Sequence, residues 1–209
     1  MRRIMYIIIV ASLFAVGCTK DNFIDTGVSN GRHEGKSLLE YMEAHPYDWS
    51  FTVEMVRHAG EEMVRLFEGK DEAHLEITFF GLANHSIRRY LLTNNIKSVS
   101  DLDPAWCRSV LLKHVVDGKI YRRDIPEGKP GDYGTRGSGG KSQKNLAGED
   151  VWTYVFVEEK EGVVDNAPRS IYVNFLKSGK GNFRVASGDI EPDNCVVHAL
   201  EYKFTLGDE

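Results

Sequence analysis

The side chains that most often carry chemistry are sparse in this sequence and do not form catalytic or metal-binding patterns. The 209 residues include three cysteines and seven histidines, and none has the CxxC, HxH or HExxH spacing that holds zinc. No GxSxG motif marks a serine nucleophile, and neither Cys107 nor Cys195 lies in a recognised nucleophile pattern. Adjacent carboxylates such as Glu158 and Glu159 would point to opposite faces of a strand. The sequence therefore predicts no enzyme activity, no cofactor and no metal site.

A glycine-rich run, Gly137–Ser142 (GSGGKS), is superficially similar to a phosphate-binding loop. That motif requires a further glycine five positions before its last glycine, where this sequence has Thr135, and a strand before the loop. We interpret 126–150 instead as a flexible, exposed loop inserted between a helix and the following strands. It is locally basic, with Lys129, Arg136, Lys141 and Lys144.

The first eighteen residues have the organisation of an export signal. A basic start, Met1-Arg2-Arg3, is followed by the apolar run 4–16 and then by Gly17-Cys18. The run is too short for a membrane-spanning helix, which needs about 20 residues, and is typical of a secretory signal. With Cys18 directly after it, the segment resembles a bacterial lipoprotein signal, and the resemblance implies cleavage after residue 17 and lipidation of Cys18. The alternative is an ordinary signal peptide with an incidental cysteine.

Composition and charge limit the partners that this chain can have. With 42% apolar and 27% charged residues, the composition is that of an ordinary globular domain. Removal of 1–17 takes away two arginines and no acidic residue, so the net charge changes from −5 to −7. A net acidic chain argues against nucleic acid as a partner and against electrostatic attachment to anionic lipid. We therefore expect attachment to the membrane through the lipid on Cys18, followed by a polar, flexible stalk over 18–34.

The elements of the remaining chain follow from caps and hydrophobic periodicity. Ser37 with Glu40 forms a capping-box pattern that predicts a helix to Ala44, ended by Pro46. Further helices are predicted over 53–67, from an N-cap at Asn84 to about residue 92, and from Asp103-Pro104 to His114. Strands are predicted over 75–80, 152–158, 171–176, 182–187 and 195–206. Helices first and strands later indicate an α+β domain.

Three segments in order resemble a fasciclin (FAS1) domain. Residues 77–87 (ITFFGLANHSI) are similar to the strand-turn-helix motif of that family, 111–119 (LLKHVVDGK) to its LLxHVVxG motif, and 189–200 (DIEPDNCVVHAL) to its terminal hairpin. The resemblance extends over 35–208, and we therefore expect a FAS1-like domain over 35–209. It implies a β-sandwich wedge with several helices packed along one side.

The same resemblance singles out two neighbouring residues. Lys113 stands where many members carry a tyrosine linked to adhesion, so Lys113 and His114 are the candidate partner-binding residues. His114, at the end of a helix, is interpreted first as a buried, structural histidine, and His198 on the last strand in the same way. An exported domain permits a Cys107–Cys195 disulfide, which the sequence leaves open. Aromatic residues that would suit stacking on a sugar are Trp49, Tyr133 and Trp152, each with a place in the core as the alternative.

These observations lead to one expected function and one alternative. The expected function is a non-catalytic, membrane-anchored extracytoplasmic binding or adhesion module with an unidentified protein or glycan partner. Its expected location is the envelope of a Gram-negative bacterium, at the outer membrane, facing the periplasm or the cell surface. The alternative is a structural accessory lipoprotein of an envelope or glycan-uptake assembly.

Overall fold

The computed structural model describes residues 31–132, 136–158 and 167–209. Its helices are α1 (Leu38–Ala44), α2 (Pro46–His58), α3 (Glu61–Phe67), α4 (Asn84–Thr93) and α5 (Pro104–Lys113), with 3₁₀ turns at Val99–Asp101 and Arg122–Asp124. Its strands are β1 (Arg32–His33), β2 (Ile77–Gly81), β3 (Val115–Asp117), β4 (Gly128–Lys129), β5 (Ser138–Gly139), β6 (Lys141–Lys144), β7 (Asp150–Val157), β8 (Arg169–Phe175), β9 (Lys180–Pro192) and β10 (Cys195–Leu200). The predicted α+β class is confirmed.

One sheet bends until its two edge strands meet. The strand order is β3-β2-β10-β9-β8-β7-β6, with β1 attached to β9. Pairing is antiparallel except between β2 and β10 and between β1 and β9. An isolated antiparallel bridge joins Val116 of β3 to Asn145, the residue after β6. This bridge nearly closes the sheet, and closure protects edge strands from pairing with other chains.

The helices pack around α2, which contacts the other four described helices. Trp49 of α2 lies against the sheet, with its ring 6.4 Å from that of Phe79 in β2. A Cβ added to Gly81 would lie 2.5 Å from the Trp49 ring, so this close approach of helix and strand requires glycine. The buried apolar side chains of helices and sheet form one continuous core.

The local signals predict both ends of α1 and the start of α5 correctly, but not the helix over 53–67. The capping box of Ser37 and Glu40 is present, and Asp103 accepts a bond from the Trp106 N–H at 2.7 Å. The single helix predicted over 53–67 is wrong, because Gly60, with φ of +107°, separates α2 from α3. Pro46 does not only end α1 but also occupies the first turn of α2.

The described part of the glycine-rich segment 126–150 is not the unstructured loop that its composition predicts, although nearly all of its residues are exposed or half-buried, as expected. It contains β4, β5 and β6, and β6 pairs with β7 along the sheet. Two of its glycines lie against fully buried Trp152, whose indole N–H donates to the Gly139 carbonyl at 3.2 Å. A Cβ on Gly140 would lie 2.6 Å from the Trp152 ring, and both glycines have positive φ. Glycine is therefore needed here for close packing and backbone conformation. The run Gly137–Ser142 contains β5 and the first two residues of β6, and no helix begins at its end.

The last predicted strand is shorter than its alternating pattern suggests. β10 ends at Leu200, and Tyr202, placed by the pattern on the apolar face, is 71% exposed in the turn that follows. Cys107 and Cys195 are buried free thiols, so the structure does not contain the disulfide that the sequence left open. Burial raises the pKa of the Cys107 thiol to about 11. No helix among the described residues is long and apolar enough to cross a bilayer.

Candidate functional site

His114 lies in the core where α5 joins β3. Its ring is fully buried, and Nδ1 donates to the Phe80 carbonyl at 2.7 Å, while the Phe80 N–H donates to the His114 carbonyl at 2.9 Å. The rings of Phe175 and Phe204 lie 4.9 and 5.3 Å away. These contacts join the end of α5 to β2. The arrangement is that of a residue holding the fold together, and a partner would not reach it.

The second ring nitrogen of His114 faces a buried carboxylate. Nε2 is 3.6 Å from Oε2 of Glu209, and both side chains are essentially inaccessible. The same Oε2 accepts the Gly207 N–H at 2.8 Å. Among the residues that the structure describes, none makes a hydrogen bond to Nε2. His114 therefore links α5, β2 and the segment after β10 through one buried ring.

Lys113 is also tied to the fold. Its Nζ lies 3.4 Å from the backbone carbonyl of Glu209, and its own carbonyl accepts a bond from Asn145 at 3.0 Å. The side chain is partly buried. The two residues predicted for partner binding are thus adjacent, but only Lys113 has a surface that a partner could contact.

The other candidates divide between core and residues outside the described ranges. Trp49 and Trp152 are buried, so neither is available to stack on a sugar. Tyr133 and the lipidation candidate Cys18 lie outside the described residues. His198 is buried like His114, with Nε2 donating to the Ile120 carbonyl at 2.8 Å. No cluster that could hold a metal ion is found in 31–132, 136–158 or 167–209.

Large exposed apolar side chains lie mainly around α4, which the sequence analysis did not single out. Of the four in the described ranges, Leu92 belongs to α4 and Tyr202 packs on it, while Tyr47 adjoins its first residue, Asn84. The Arg89 guanidinium lies 4.5 Å from the centre of the Tyr202 ring. We call the side chains of His85, Arg89, Leu92 and Tyr202 the distal surface.

The distal surface is held rigidly by α4. Arg89 donates to the carbonyls of Tyr202 and Lys203 at 2.7 and 3.3 Å and to the Thr205 hydroxyl at 2.9 Å. The His85 ring lies 5.1 Å from that of Tyr202. Tyrosine and arginine held in fixed positions are the side chains that most often dominate binding interfaces. Because these side chains are already ordered, binding of a partner costs little side-chain conformational entropy.

Asn84 positions the start of α4 in a way that the sequence did not indicate. It was predicted as the N-cap, but the N-cap is Ala83 and Asn84 is the first helical residue. Its buried amide accepts the Phe51 N–H at 2.8 Å and donates to the carbonyls of Pro46 and Tyr47 at 3.0 and 2.8 Å. The first turn of α2 is thereby fixed to α4.

The distal surface and the start of the described chain lie at opposite ends of β10. β1 pairs with Glu191 and Pro192, just before β10 begins, whereas Tyr202 follows its last residue. At about 3.3 Å per residue, six residues of strand separate the two ends by roughly 20 Å.

Comparison with known proteins supports the fold. No protein-family model matches the sequence, and no curated protein matches it. Among solved structures, the chain is similar to a FAS1 domain pair from the insect cell adhesion molecule fasciclin I, with 16% identity and a TM-score of 0.53. The match covers 80% of this chain and 50% of that one, so this chain spans about half of the pair. At this identity the likeness shows a FAS1-like fold and nothing finer.

Proposed function

We propose that this chain is a lipid-anchored, extracytoplasmic binding or adhesion module without catalytic activity, and that the distal surface contacts its partner. The observation that carries the proposal is the exposed Tyr202, clamped by Arg89 at the end of the fold opposite β1. The likeness to a domain pair from a cell adhesion molecule supports the same kind of role. The partner is a protein or a glycan of the cell envelope or its surroundings.

The anchor and the distal surface have complementary tasks in this proposal. Cys18 carries the lipid, and twelve residues separate it from Gly31, which limits their separation to about 40 Å. Several acyl chains hold a protein stably in a bilayer, whereas one chain binds only marginally. The fold then presents Tyr202 toward the periplasm or the cell surface, depending on the leaflet that receives the lipid.

Anchoring is tested by Cys18→Ala in the full chain, expressed in a Gram-negative host. We expect wild type to incorporate labelled palmitate and to fractionate with the outer membrane, and the variant to lose both properties or accumulate as precursor. Unlabelled wild type with unchanged fractionation of the variant would contradict the lipid anchor.

Partner binding is tested by Tyr202→Ala, with Leu75→Ala as the matched control. Both side chains are exposed, at 71% and 57%, but Leu75 precedes β2 and lies outside the distal surface. The protein is displayed on vesicles and applied to arrays of glycans and extracellular matrix proteins. Because a central aromatic residue often contributes 2 kcal/mol or more to binding, we expect Tyr202→Ala to weaken capture by about 30-fold or more.

Two results would change this assignment. Equal capture of both variants would remove the distal surface from the proposal. No capture on any array, together with stable co-purification with an envelope complex, would favour the accessory-lipoprotein alternative over a module with its own ligand.

A further inference from the structure

Strands β8 and β9 separate at one end and leave a cleft between them. Their pairing ends at Tyr172 and Arg184, although β8 begins three residues earlier, at Arg169, where it pairs only with β7. A cavity of about 190 Å³ lies in the gap. A second cavity of about 430 Å³ adjoins it and shares Arg122, Arg169 and Asp189. We call the two together the arginine cleft, lined by Arg122, Arg123, Arg169 and Arg184 with Glu127 and Asp189.

The backbone at the cleft is fixed by an irregularity in β9. Asp189 has φ of +54°, a left-handed conformation that is uncommon for any residue except glycine. Its N–H donates to Nδ1 of buried His198 at 3.3 Å, and its carboxylate accepts the Arg122 N–H at 2.6 Å. Pairing of β9 with β10 is interrupted at the same place, after Val197. Conformations of this kind persist where the surrounding contacts hold them, often at functional sites.

Arginines outnumber carboxylates among the residues that line the cleft, and two further carboxylates lie beside it: that of Asp124 is 3.9 Å from Arg123, and that of Glu201 accepts the Arg184 N–H at 3.3 Å. Four arginines line it against two carboxylates, in a chain whose net charge is −5. Arg169 is paired with Glu127 at 2.7 Å. The Arg184 side chain is exposed and has no ion-pair partner in the described residues. A basic concave site on an acidic chain concentrates anions from solution.

We infer that the arginine cleft binds the carboxylate groups of an acidic glycan. A guanidinium presents two parallel N–H donors that match a carboxylate, and charge-assisted bonds of this kind are among the strongest available to a protein. Arg184 supplies an unpaired guanidinium, and Arg169 stands at the opposite strand. The inference rests on the proposed binding function and names the chemistry of one ligand class.

The lining favours a sugar over a peptide. The branched apolar side chains at the cleft are themselves buried, at 3–8% exposure, and leave little apolar surface for an anchor; they are Ile125, Val155, Ile171 and Val185. Peptide interfaces generally need such an anchor at their centre. A Cβ on Gly188 would lie 3.3 Å from Cδ1 of Ile171, so β8 and β9 are closely packed at this position. Polar hydroxyls and carboxylates on a rigid ring suit this lining better.

The test uses tetragalacturonate as the probe and the full chain in detergent micelles, with binding measured by calorimetry. The variants are Arg184→Gln and the double variant Arg169→Gln/Arg184→Gln. Arg57→Gln is the matched control, since Arg57 is also exposed, on α2 away from the cleft. Because these side chains lie at the surface, the melting temperature of each variant should remain near that of wild type.

We expect wild type to bind tetragalacturonate and not its methyl ester, with affinity that falls as salt is raised. Arg184→Gln should weaken binding at least tenfold, as the loss of one charge-assisted bond does, and the double variant further. Arg57→Gln should bind like wild type.

Several outcomes would overturn the inference. Unchanged binding by Arg184→Gln, equal binding of the methyl ester, or no binding of tetragalacturonate by wild type would each do so. Hexaglutamate that competes as well as tetragalacturonate would show that the cleft reads charge on a peptide, against the glycan. Failure here leaves the palmitate and Tyr202 tests unaffected. Conversely, binding that depends on Arg184 would survive even if the lipid anchor on Cys18 were disproved.

Discussion

Truncation of His114 separates a structural role from a binding role. In His114→Ala the Phe80 carbonyl loses its 2.7 Å bond from Nδ1, and the space between Phe175 and Phe204 is left empty. The carboxylate of Glu209 also loses the ring that faces it at 3.6 Å. Because His114 is fully buried, water from the surface does not replace the contacts that these groups lose.

The expected destabilisation follows from these contacts. A buried acceptor without a partner costs about 1–3 kcal/mol, and truncation of a large buried side chain to alanine costs about 2–5 kcal/mol. The two terms overlap, so we expect the free energy of unfolding to fall by about 3–5 kcal/mol. A domain of this size is stable by about 5–15 kcal/mol in total, and the melting temperature should fall by on the order of 10 °C.

The assay is guanidinium unfolding followed by tryptophan fluorescence, since Trp49 and Trp152 are buried in the native fold. His114→Asn keeps an N–H donor for the Phe80 carbonyl and should recover about 1 kcal/mol of the loss. Lys113→Ala is the neighbouring control and should cost less than about 1 kcal/mol, because its Nζ makes one long contact with a backbone carbonyl, at 3.4 Å. Stability of His114→Ala within about 0.5 kcal/mol of wild type, with loss of partner binding, would refute the structural role.

Three further changes test the packing. Gly81→Ala should destabilise the fold by about 1–3 kcal/mol, because its Cβ would lie 2.5 Å from the Trp49 ring; an unchanged unfolding midpoint would mean that the ring moves freely. Burial lowers the pKa of His198 in the folded chain. As the pH falls below ~6.5, the unfolded chain therefore binds a proton at His198 before the folded chain does. The free energy of unfolding should then decrease by up to ~1.4 kcal/mol per pH unit. Urea unfolding at several pH values should show a shallower dependence in His198→Gln, and an identical slope would assign the loss to other groups. Replacing 127–145 with a short linker removes β4–β6 and should lower the melting temperature by more than 10 °C, roughly, where an unstructured loop would cost almost nothing; calorimetry distinguishes the two.

The sequence alone determined those features whose causes lie within a few residues of chain. Ser37 and Glu40 cap α1, and Asp103 and Pro104 begin α5, because side chain and backbone partners are three residues apart. The α+β class was equally accessible, since it follows from the order of periodic segments along the chain. The motifs that resemble a FAS1 domain predicted the FAS1-like fold, which the likeness to the solved domain pair supports.

Tertiary structure decided what the same residue types do when their partners are distant in sequence. Asparagine is a common N-cap residue, yet the amide of Asn84 makes hydrogen bonds to α2, more than thirty residues away. The glycines of 126–150 indicated flexibility, but Gly140 packs against Trp152, because glycine permits both mobility and close approach. A composition cannot distinguish these uses of glycine without knowing what lies opposite.

The candidate sites show the same division. The sequence placed Lys113 and His114 together, and the structure buried the second because α5 ends against β2. Alternation placed Tyr202 on the apolar face of the last predicted strand, and this pattern no longer applies once β10 ends at Leu200. The arginine cleft combines Arg122, Arg169 and Arg184, which lie on separate segments. Their charges come together only where β8 separates from β9. That separation depends on tertiary packing, which the spacing of residues along the chain does not predict.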